Sequence, residues 1–365
     1  MKVNYLNFTE QWQEDKKKLL PIIDKVFNSG EYVGAHCLEL TKFKKNIQKM
    51  FKRHVVPLNS GTDALTMALH AIGVRRGHEV ITTSNSYIAS AGSIAHLGAK
   101  PIFVDVLPDQ NMDVNKLESL ITKNTKVIMP VHLTGRSCDM EKIMKVAKKY
   151  KLSVVEDCAQ AFGSKFNGKL CGTFGSFGCF STHPLKNFNA MGDGGFIVTD
   201  NKKLANYIRK LCNHGLKTRD ECDSFGFNSR LDNIQAAILN FRLNKMNKII
   251  KRRRENAKYY LKHLDKRYVF SVPEKKKEFN TYHTFVIQVP DRKKLQNYLK
   301  KKNITAYVHY PFPIHKQKKL KKRLGEHYLP ITELQSKKIL SIPIHHSLTK
   351  KQLKYTVDSI NNFYK

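Results

Sequence analysis

The segment "FSTHPLKNFNAMGDGG" (residues 180–195) places a single lysine, Lys186, between a strand-like run and a glycine-rich turn. The chain is otherwise rich in cations, with 65 Lys and Arg among its 365 residues, so one lysine in this setting stands apart. A lysine amine is a useful nucleophile only when it can lose its proton, which a pocket and a neighbouring cation promote. The sequence around Lys186 therefore favours a chemical role over that of a surface charge.

On both sides of this segment, short apolar runs alternate with helical patterns. Strands are predicted, after a first one at "HVVPL", at 79–84, 100–106, 126–132, 153–158, 176–181 and 194–200. Such runs, separated by helices, are typical of a largely parallel sheet that is covered on both faces. We therefore predict an α/β large domain whose sheet occupies about residues 50–210.

The C-terminal third has a different pattern. Apolar residues at three- and four-residue spacing predict one long helix from about 231 to 263. Beyond it, strands are predicted at 281–289 and 304–310, with helices at 291–302, 331–339 and 349–364. We expect three parts: an N-terminal segment with the large domain (1–230), a long connecting helix (231–265) and a small α+β domain (266–365).

Composition narrows the class of protein. A chain of this length exceeds the size at which a single core stops growing, which favours two domains. No secretory-type segment opens the chain, and no apolar run approaches the length of a membrane span. The seven cysteines form no CxxC pair, so neither a disulfide framework nor a metal site is expected. A cytoplasmic protein without a membrane partner is the expectation.

The net charge of +35 raises the alternative of nucleic-acid binding. Clusters such as "KRRR" (251–254) and "KQKKLKKR" (316–323) could contact phosphates. Few aromatic residues lie between these cations to stack on bases, and the clusters fall on amphipathic helices and turns. We therefore interpret them as solvated helix faces and expect no nucleic-acid partner. The positive field would still attract an anionic small-molecule substrate.

A candidate phosphate site lies in "NSGTDAL" (59–65), where Ser60, Gly61 and Thr62 stand between a strand and a helix. The first N–H groups of a helix lack partners and its dipole is positive at that end, which suits a phosphate. Taken alone, these residues favour the simpler interpretation of an ordinary helix N-cap by Ser60 or Thr62.

A candidate acid lies in "VVEDCAQAFGS" (154–164), where Asp157 ends an apolar strand and Gln160 follows three residues later. An unpaired carboxylate at a buried strand end is costly, so Asp157 requires a partner. Ligands of open α/β sheets bind at the carboxyl ends of strands, and a protonated pyridine nitrogen would suit this carboxylate. The alternative is a carboxylate that caps the next helix.

Together these features describe the anchors of one cofactor. Pyridoxal phosphate is held by a Schiff-base lysine and an acid at its ring nitrogen, and its phosphate requires donors. Lys186, Asp157 and the turn at Gly61 would supply these, and the Ser181 hydroxyl, shortly before the lysine, could hold a phosphate oxygen. Each signal is weak alone, but their order along the chain is specific.

On these motifs the chain resembles the DegT/DnrJ/EryC1/StrS family of pyridoxal-phosphate-dependent nucleotide-sugar aminotransferases over nearly its whole length. The resemblance implies the fold-type I α/β architecture, with a mostly parallel seven-stranded sheet. It also places Lys186 at the Schiff-base position, Gln160 near the cofactor ring and Tyr87, in "SNSYIAS", against that ring. "FGFNSRLDNIQAAIL" (225–239) resembles the stretch that crosses a homodimer interface, which implies that Asn228 contacts the phosphate in the partner's site.

The segment "AYVHYPFPIHKQ" (306–317) resembles the version found in family members that aminate C3 of a keto-sugar. It implies substrate contacts by His309, Tyr310 and His315 and favours C3 over C4. The alternative interpretation of these residues is a strand followed by a proline-broken turn whose aromatic side chains pack in the core.

The resemblance implies a transamination in which L-glutamate donates an amino group to a nucleotide-linked keto-6-deoxy sugar, for amino-sugar and glycan biosynthesis. Two alternatives remain open. One is a sugar dehydratase or deoxygenase on the same fold, although the subgroup that dehydrates carries histidine where this chain has Lys186. The other is a basic nucleic-acid-binding protein on an inactive scaffold, which the intact Lys186 and Asp157 disfavour.

Overall fold

A seven-stranded sheet forms the centre of the protein, which a computed structural model describes over residues 1–365. In chain order the strands are β1 (His54–Leu58), β2 (Glu79–Thr83), β3 (Lys100–Val104), β4 (Thr125–Ile128), β5 (Ser153–Asp157), β6 (Lys165–Phe166), β7 (Lys169–Leu170), β8 (Phe177–Ser181), β9 (Gly195–Thr199), β10 (Glu278–Phe279), β11 (Phe285–Gln288) and β12 (Ile339–Ile342). The central sheet has the order β1-β9-β8-β5-β4-β2-β3. Only β9 runs antiparallel to its neighbours, which confirms the predicted mostly parallel α/β sheet.

Twelve helices surround this sheet and the smaller ones. They are α1 (Phe8–Ser29), α2 (Leu38–Phe51), α3 (Gly61–Ala71), α4 (Ile88–His96), α5 (Met140–Lys149), α6 (Lys202–Leu211), α7 (Asn233–Leu243), α8 (Met246–His263), α9 (Arg292–Lys301), α10 (Lys321–Leu324), α11 (Pro330–Lys338) and α12 (Lys350–Phe363). Side-chain caps define several of the starts: Asp139 caps α5, Asn201 caps α6, and Thr349 forms a capping box with Gln352 at α12. None of the twelve helices combines the length and the apolar character needed to cross a lipid bilayer.

The central sheet is buried on both faces, as alternating residues of β9 show. Phe196 and Val198 pack on the face covered by α2 and α7, whereas Ile197 packs on the face covered by α3 and α6. Strand β1 behaves in the same way, with Val55 on the first face and Val56 on the second. This two-sided burial explains why the strands read as continuous apolar runs rather than alternating ones.

A separate core unites the C-terminal elements. It contains apolar side chains from α8, α9, α12 and the two-stranded β11–β12 sheet, and also Val3 from the start of the chain. Val3 makes a parallel bridge to Ile304, so the N-terminal residues pack with the C-terminal region rather than with the large sheet. This arrangement carries Asn4, Tyr5, Leu6 and Phe8 into the lining of the cleft described below.

Two predicted elements differ in the structure. The continuous helix expected over 231–265 is two helices, α7 and α8, because the Lys245 N–H donates to the Arg242 carbonyl and tightens the backbone between them. The break positions the side chains of Arg242 and Lys245 so that both form ion pairs with Asp15 of α1. The strand expected over 304–310 forms only isolated bridges, at Ile304 and Tyr307, because neither partner runs alongside it for long enough to form a ladder.

Candidate active site

A cleft of about 870 Å³ opens where strands of the central sheet end, between the large sheet and the C-terminal elements. Ten of the twelve residues proposed from the sequence line it: Ser60, Gly61, Thr62, Tyr87, Asp157, Gln160, Ser181, Lys186, His309 and Tyr310. The structure thus gathers residues from five separate stretches of the chain into one space. This position agrees with the rule that open α/β sheets bind ligands at the carboxyl ends of their strands.

The N-terminus of α3 forms one wall of the cleft. Ser60 is its N-cap, since its Oγ accepts a hydrogen bond from the Asp63 N–H at 3.1 Å. Gly61 brings this helix end against β8: a Cβ at Gly61 would lie 2.6 Å from Cβ of Ser181. The N-cap and the phosphate site are therefore compatible, because the amides of Gly61 and Thr62 remain free beside the Ser181 hydroxyl.

Asp157 lies buried at the end of β5, with its side chain in the cleft. Oδ1 accepts a hydrogen bond from the Ala159 N–H at 3.1 Å, and Oδ2 accepts one from Ser90 Oγ at 2.9 Å. Burial raises the pKa of this carboxyl, although these two bonds and the charge of Lys186 oppose that shift. Asp157 caps no helix, because the residues after it form turns. A carboxyl with a raised pKa is one that a cationic partner in the cleft would stabilise in its ionised form.

The neighbouring carboxylate, Glu156, lies on the other face of β5, where it binds backbone N–H groups behind the cleft. It accepts hydrogen bonds from the N–H groups of Gly172, Phe174 and Gly175 at 2.7–2.8 Å, and contacts Nε2 of His132 at 3.1 Å. Burial alone would raise the pKa of Glu156, but these donors hold it below its usual range. His132, Glu156 and the buried Cys158 lie close enough to suggest a metal site. The Glu156 oxygens are already occupied by protein donors, so we expect no ion there.

Lys186 lies on the loop between β8 and β9, half-buried in the cleft. Its backbone N–H donates to the His183 carbonyl at 2.8 Å, which forms the turn that carries the side chain. Burial lowers the pKa of Lys186, and the charge of Asp157 opposes this shift. The amine forms neither an ion pair nor a hydrogen bond within the protein, so it is available to a ligand.

Gln160 and two tyrosines continue the cleft wall. The Gln160 Oε1 accepts a hydrogen bond from the Thr134 N–H at 2.8 Å, and its Nε2 donates to the Tyr310 hydroxyl at 3.3 Å. The rings of Tyr310 and Tyr87 are 6.2 Å apart. Tyr87 remains more than half exposed, which leaves a free aromatic face at the mouth of the cleft.

Several cleft residues were missed from the sequence. Tyr5 stacks on His309, with ring centroids 5.7 Å apart, and contacts Tyr307 edge-on at 4.9 Å. Ser90 bonds Asp157, and His283 faces the same space as Lys186. Ser90 follows Tyr87 by three residues, so helical periodicity could have placed both on the cleft side of α4. Nothing local in the sequence marks Tyr5 or His283.

Two proposed residues lie outside the cleft. His315 is buried, with Nδ1 2.7 Å from Ser84 Oγ and Nε2 3.2 Å from Glu333, so both ring nitrogens are engaged away from the cleft. Asn228 lies on an exposed loop, bridged to Asn213, and does not line the cleft of its own chain.

The cleft fits pyridoxal phosphate by its donor set. Free amides at a helix N-terminus suit the phosphate, a buried carboxyl suits a protonated ring nitrogen, and an amine with a lowered pKa suits an aldehyde. Gly61 supports this assignment independently, because a side chain at that position would fill the space where the helix end meets Ser181.

Comparison with known proteins agrees with the geometry. A "Pleiotropic regulatory protein" of Geobacillus stearothermophilus is 37% identical over 100% of this chain and 99% of its own length. The dTDP-3-amino-3,6-dideoxy-alpha-D-galactopyranose transaminase of Aneurinibacillus thermoaerophilus is 38% identical over 95% of this chain and 96% of its own length.

Solved structures show the same similarity. DesV of S. venezuelae, solved in complex with a ketimine intermediate, has a TM-score of 0.96 and 32% identity, covering 100% of this chain and 99% of its own. Another similar structure contains the cofactor in its pyridoxamine form. The prediction that pyridoxal phosphate is the cofactor is thereby confirmed. The profile of the DegT/DnrJ/EryC1/StrS aminotransferase family matches residues 13–361. This chain belongs to that family.

Proposed function

We propose that this protein transfers an amino group from L-glutamate to the keto group of a nucleotide-linked 6-deoxy sugar, with C3 favoured over C4. The observation that carries the proposal is the convergence of Lys186, Asp157 and the N-terminus of α3 in one cleft. Transamination requires these three functions together: an amine that exchanges, a carboxylate at the ring nitrogen and donors for the phosphate.

The residues that would hold the cofactor follow from the cleft. The N–H groups of Gly61 and Thr62 and the Ser181 hydroxyl would bind its phosphate, and the exposed ring face of Tyr87 would pack against it. Asp157 would accept a hydrogen bond from the protonated pyridine nitrogen and so keep the proton on that nitrogen. Pyridoxal phosphate, when bound, supplies an electron sink for negative charge that develops at the carbon bearing the amino group.

Lys186 would move the proton in each half of the reaction. Burial lowers the pKa of its amine, so a larger fraction of Lys186 is unprotonated and able to accept a proton from the α carbon of glutamate. The same nitrogen would return that proton to the adjacent carbon of the cofactor. In the second half, with the keto-sugar, Lys186 would carry a proton in the opposite direction.

The choice of C3 rests on two supports. One is the segment 306–317, which carries His309 and Tyr310 into the cleft and resembles its counterpart in family members that aminate C3. The other is the 3-amino product in the name of the Aneurinibacillus relative. Burial lowers the pKa of His309 to about 4, so its ring is neutral near pH 7 and suits a sugar hydroxyl better than a charged group.

A homodimer is part of the proposal. Asn228 lies outside its own cleft on a loop that also exposes Phe225 completely and Phe227 by 44%. Two exposed phenylalanines on one loop are unfavourable in water and favour a covering surface. A second copy would cover them and bring its own Asn228 toward this cleft. A cytoplasmic location also belongs to the proposal, because all seven cysteines are unpaired thiols.

The test is incubation of the purified protein with pyridoxal phosphate, L-glutamate and a panel of dTDP-, UDP- and GDP-linked 3-keto and 4-keto sugars. We expect equal amounts of 2-oxoglutarate and of one amino-sugar nucleotide, detected by mass spectrometry, with the amino group at C3. A dehydrated or deoxygenated sugar without 2-oxoglutarate would replace the proposal with the dehydratase alternative. The Lys186→Ala variant is the matched control and should form neither product.

A further inference from the structure

His283 is a cleft residue with no role in the function described so far. It precedes β11, on the C-terminal side of the cleft, and lines the same space as Lys186 although 97 residues separate them in the chain. Asn187, the residue after Lys186, accepts a hydrogen bond from this histidine: its Oδ1 lies 3.4 Å from Nδ1 of His283. The loop that carries the lysine is therefore linked directly to this imidazole.

The contact with Asn187 determines which ring nitrogen carries the proton. The Asn187 Nδ2 donates to the Thr281 carbonyl at 3.2 Å, so its Oδ1 faces His283. Nδ1 of His283 must then be the protonated nitrogen, and Nε2 keeps a free lone pair. In the structure no side chain is placed to donate to Nε2, which leaves it as an acceptor for a group that turns toward it within the cleft.

The backbone around His283 is held on two sides. Arg253 donates from Nη1 to the carbonyls of Tyr282 and His283, at 3.0 and 3.2 Å. On the other side, Gly135 approaches so closely that a Cβ there would lie 2.8 Å from the His283 nitrogen. Both contacts fix the direction of the imidazole, as positioning groups require.

The charged and titratable groups that face His283 are Lys186, Arg253 and His309. Burial first, and then the charges of these neighbours, lower the pKa of His283 well below its ordinary value. The ring is therefore neutral at physiological pH and can accept a hydrogen bond through Nε2.

We propose that His283 is a positioning residue for Lys186: the amine, which has no protein partner in the structure, turns within the shared cleft to donate an N–H to Nε2 of His283. This inference rests on the proposed function. An amine has two N–H bonds and one lone pair, so holding one N–H restricts the direction of the lone pair. When the α C–H bond of glutamate breaks, the electron pair would stay on the α carbon, for which bound pyridoxal phosphate would supply the electron sink, and the proton would form a third N–H bond on Lys186. The resulting ammonium then donates a stronger, charge-assisted hydrogen bond to Nε2.

The first test measures the pKa of Lys186 in the cofactor-free protein, from the pH dependence of its labelling by a small acylating reagent, read by mass spectrometry. Because His283 stabilises the charged amine, His283→Phe should lower this pKa by about one unit. His283→Gln places an amide oxygen near the position of Nε2 and should restore most of the shift. A Lys186 pKa that is equal in the wild type and in His283→Phe would overturn the proposal.

The second test measures the half-reaction with glutamate and with 2-deuterated glutamate in the holoenzyme. His283→Phe should slow it at least tenfold and raise its deuterium isotope effect, because proton transfer becomes more rate-limiting. Asn187→Ala keeps the imidazole but no longer fixes which ring nitrogen carries the proton. It should therefore slow the half-reaction and raise the isotope effect, each by less than His283→Phe does. It also replaces His283→Phe if that variant does not fold. An unchanged isotope effect in folded variants would overturn the proposal, whereas a wild type that fails to react with glutamate would refute the proposed function and leave the first test intact.

Discussion

Replacement of Gly61 by alanine should weaken both the fold and cofactor binding. The added Cβ would lie 2.6 Å from Cβ of Ser181, whereas carbon atoms in contact are normally about 3.5–4.0 Å apart. The end of β8 and the start of α3 would have to separate by about 1 Å, and neither is a flexible side-chain tip. Overpacking of this kind costs about 1–3 kcal/mol in the free energy of unfolding.

The same movement separates the two halves of the phosphate site. Loss of a hydrogen bond to a charged group costs about 1.5–3 kcal/mol, which corresponds to a roughly 10- to 150-fold increase in the dissociation constant of pyridoxal phosphate. Denaturant unfolding of the cofactor-free protein measures the first effect. Titration of the visible absorbance of the bound cofactor measures the second.

Gly92, in the interior of α4, provides the matched control. A Cβ at Gly92 would have no neighbour within 4 Å, so Gly92→Ala introduces the same atom without a clash. It should stabilise the protein by about 0.5–1 kcal/mol, because alanine favours a helix interior more than glycine does. A Gly61→Ala variant with wild-type stability and cofactor affinity would refute the role assigned to this close approach.

Two further predictions concern charge. Asp157→Asn should slow the glutamate half-reaction by about 10²-fold or more, because no carboxylate then keeps the proton on the ring nitrogen. Ser90→Ala should have a much smaller effect. Near-wild-type rates in Asp157→Asn would refute the role assigned to this carboxylate. The free energy of unfolding should fall as the pH decreases from 6.5 to about 4, because burial lowers the pKa of His309, His345 and His346 from 6.5 to about 4 and the unfolded chain binds more protons in that range. Urea unfolding across this range measures the effect, and a flat profile would contradict it.

Local sequence signals were sufficient for the parts of the site that are built within single turns. The strand-to-helix turn at Gly61, the strand end at Asp157 and the loop at Lys186 each lie next to a predicted strand, and the parallel sheet brings the strand ends to one edge. The two-sided burial of the central strands also follows directly from their continuous apolar runs.

Contacts between distant segments could not be predicted in this way. His283 reaches Lys186 through Asn187, and Tyr5 reaches His309 because Val3 bridges the C-terminal region. Such contacts depend on how the C-terminal elements pack against the large sheet, which no local pattern encodes.

Covalent attachment of the cofactor to Lys186 tests the central claim most directly. The protein loaded with pyridoxal phosphate would be reduced with borohydride, digested and analysed by mass spectrometry. We expect the mass of the reduced cofactor on the peptide that contains Lys186, and no labelled peptide from Lys186→Ala. A label on another lysine, or aminotransferase turnover that persists in Lys186→Ala, would contradict the account.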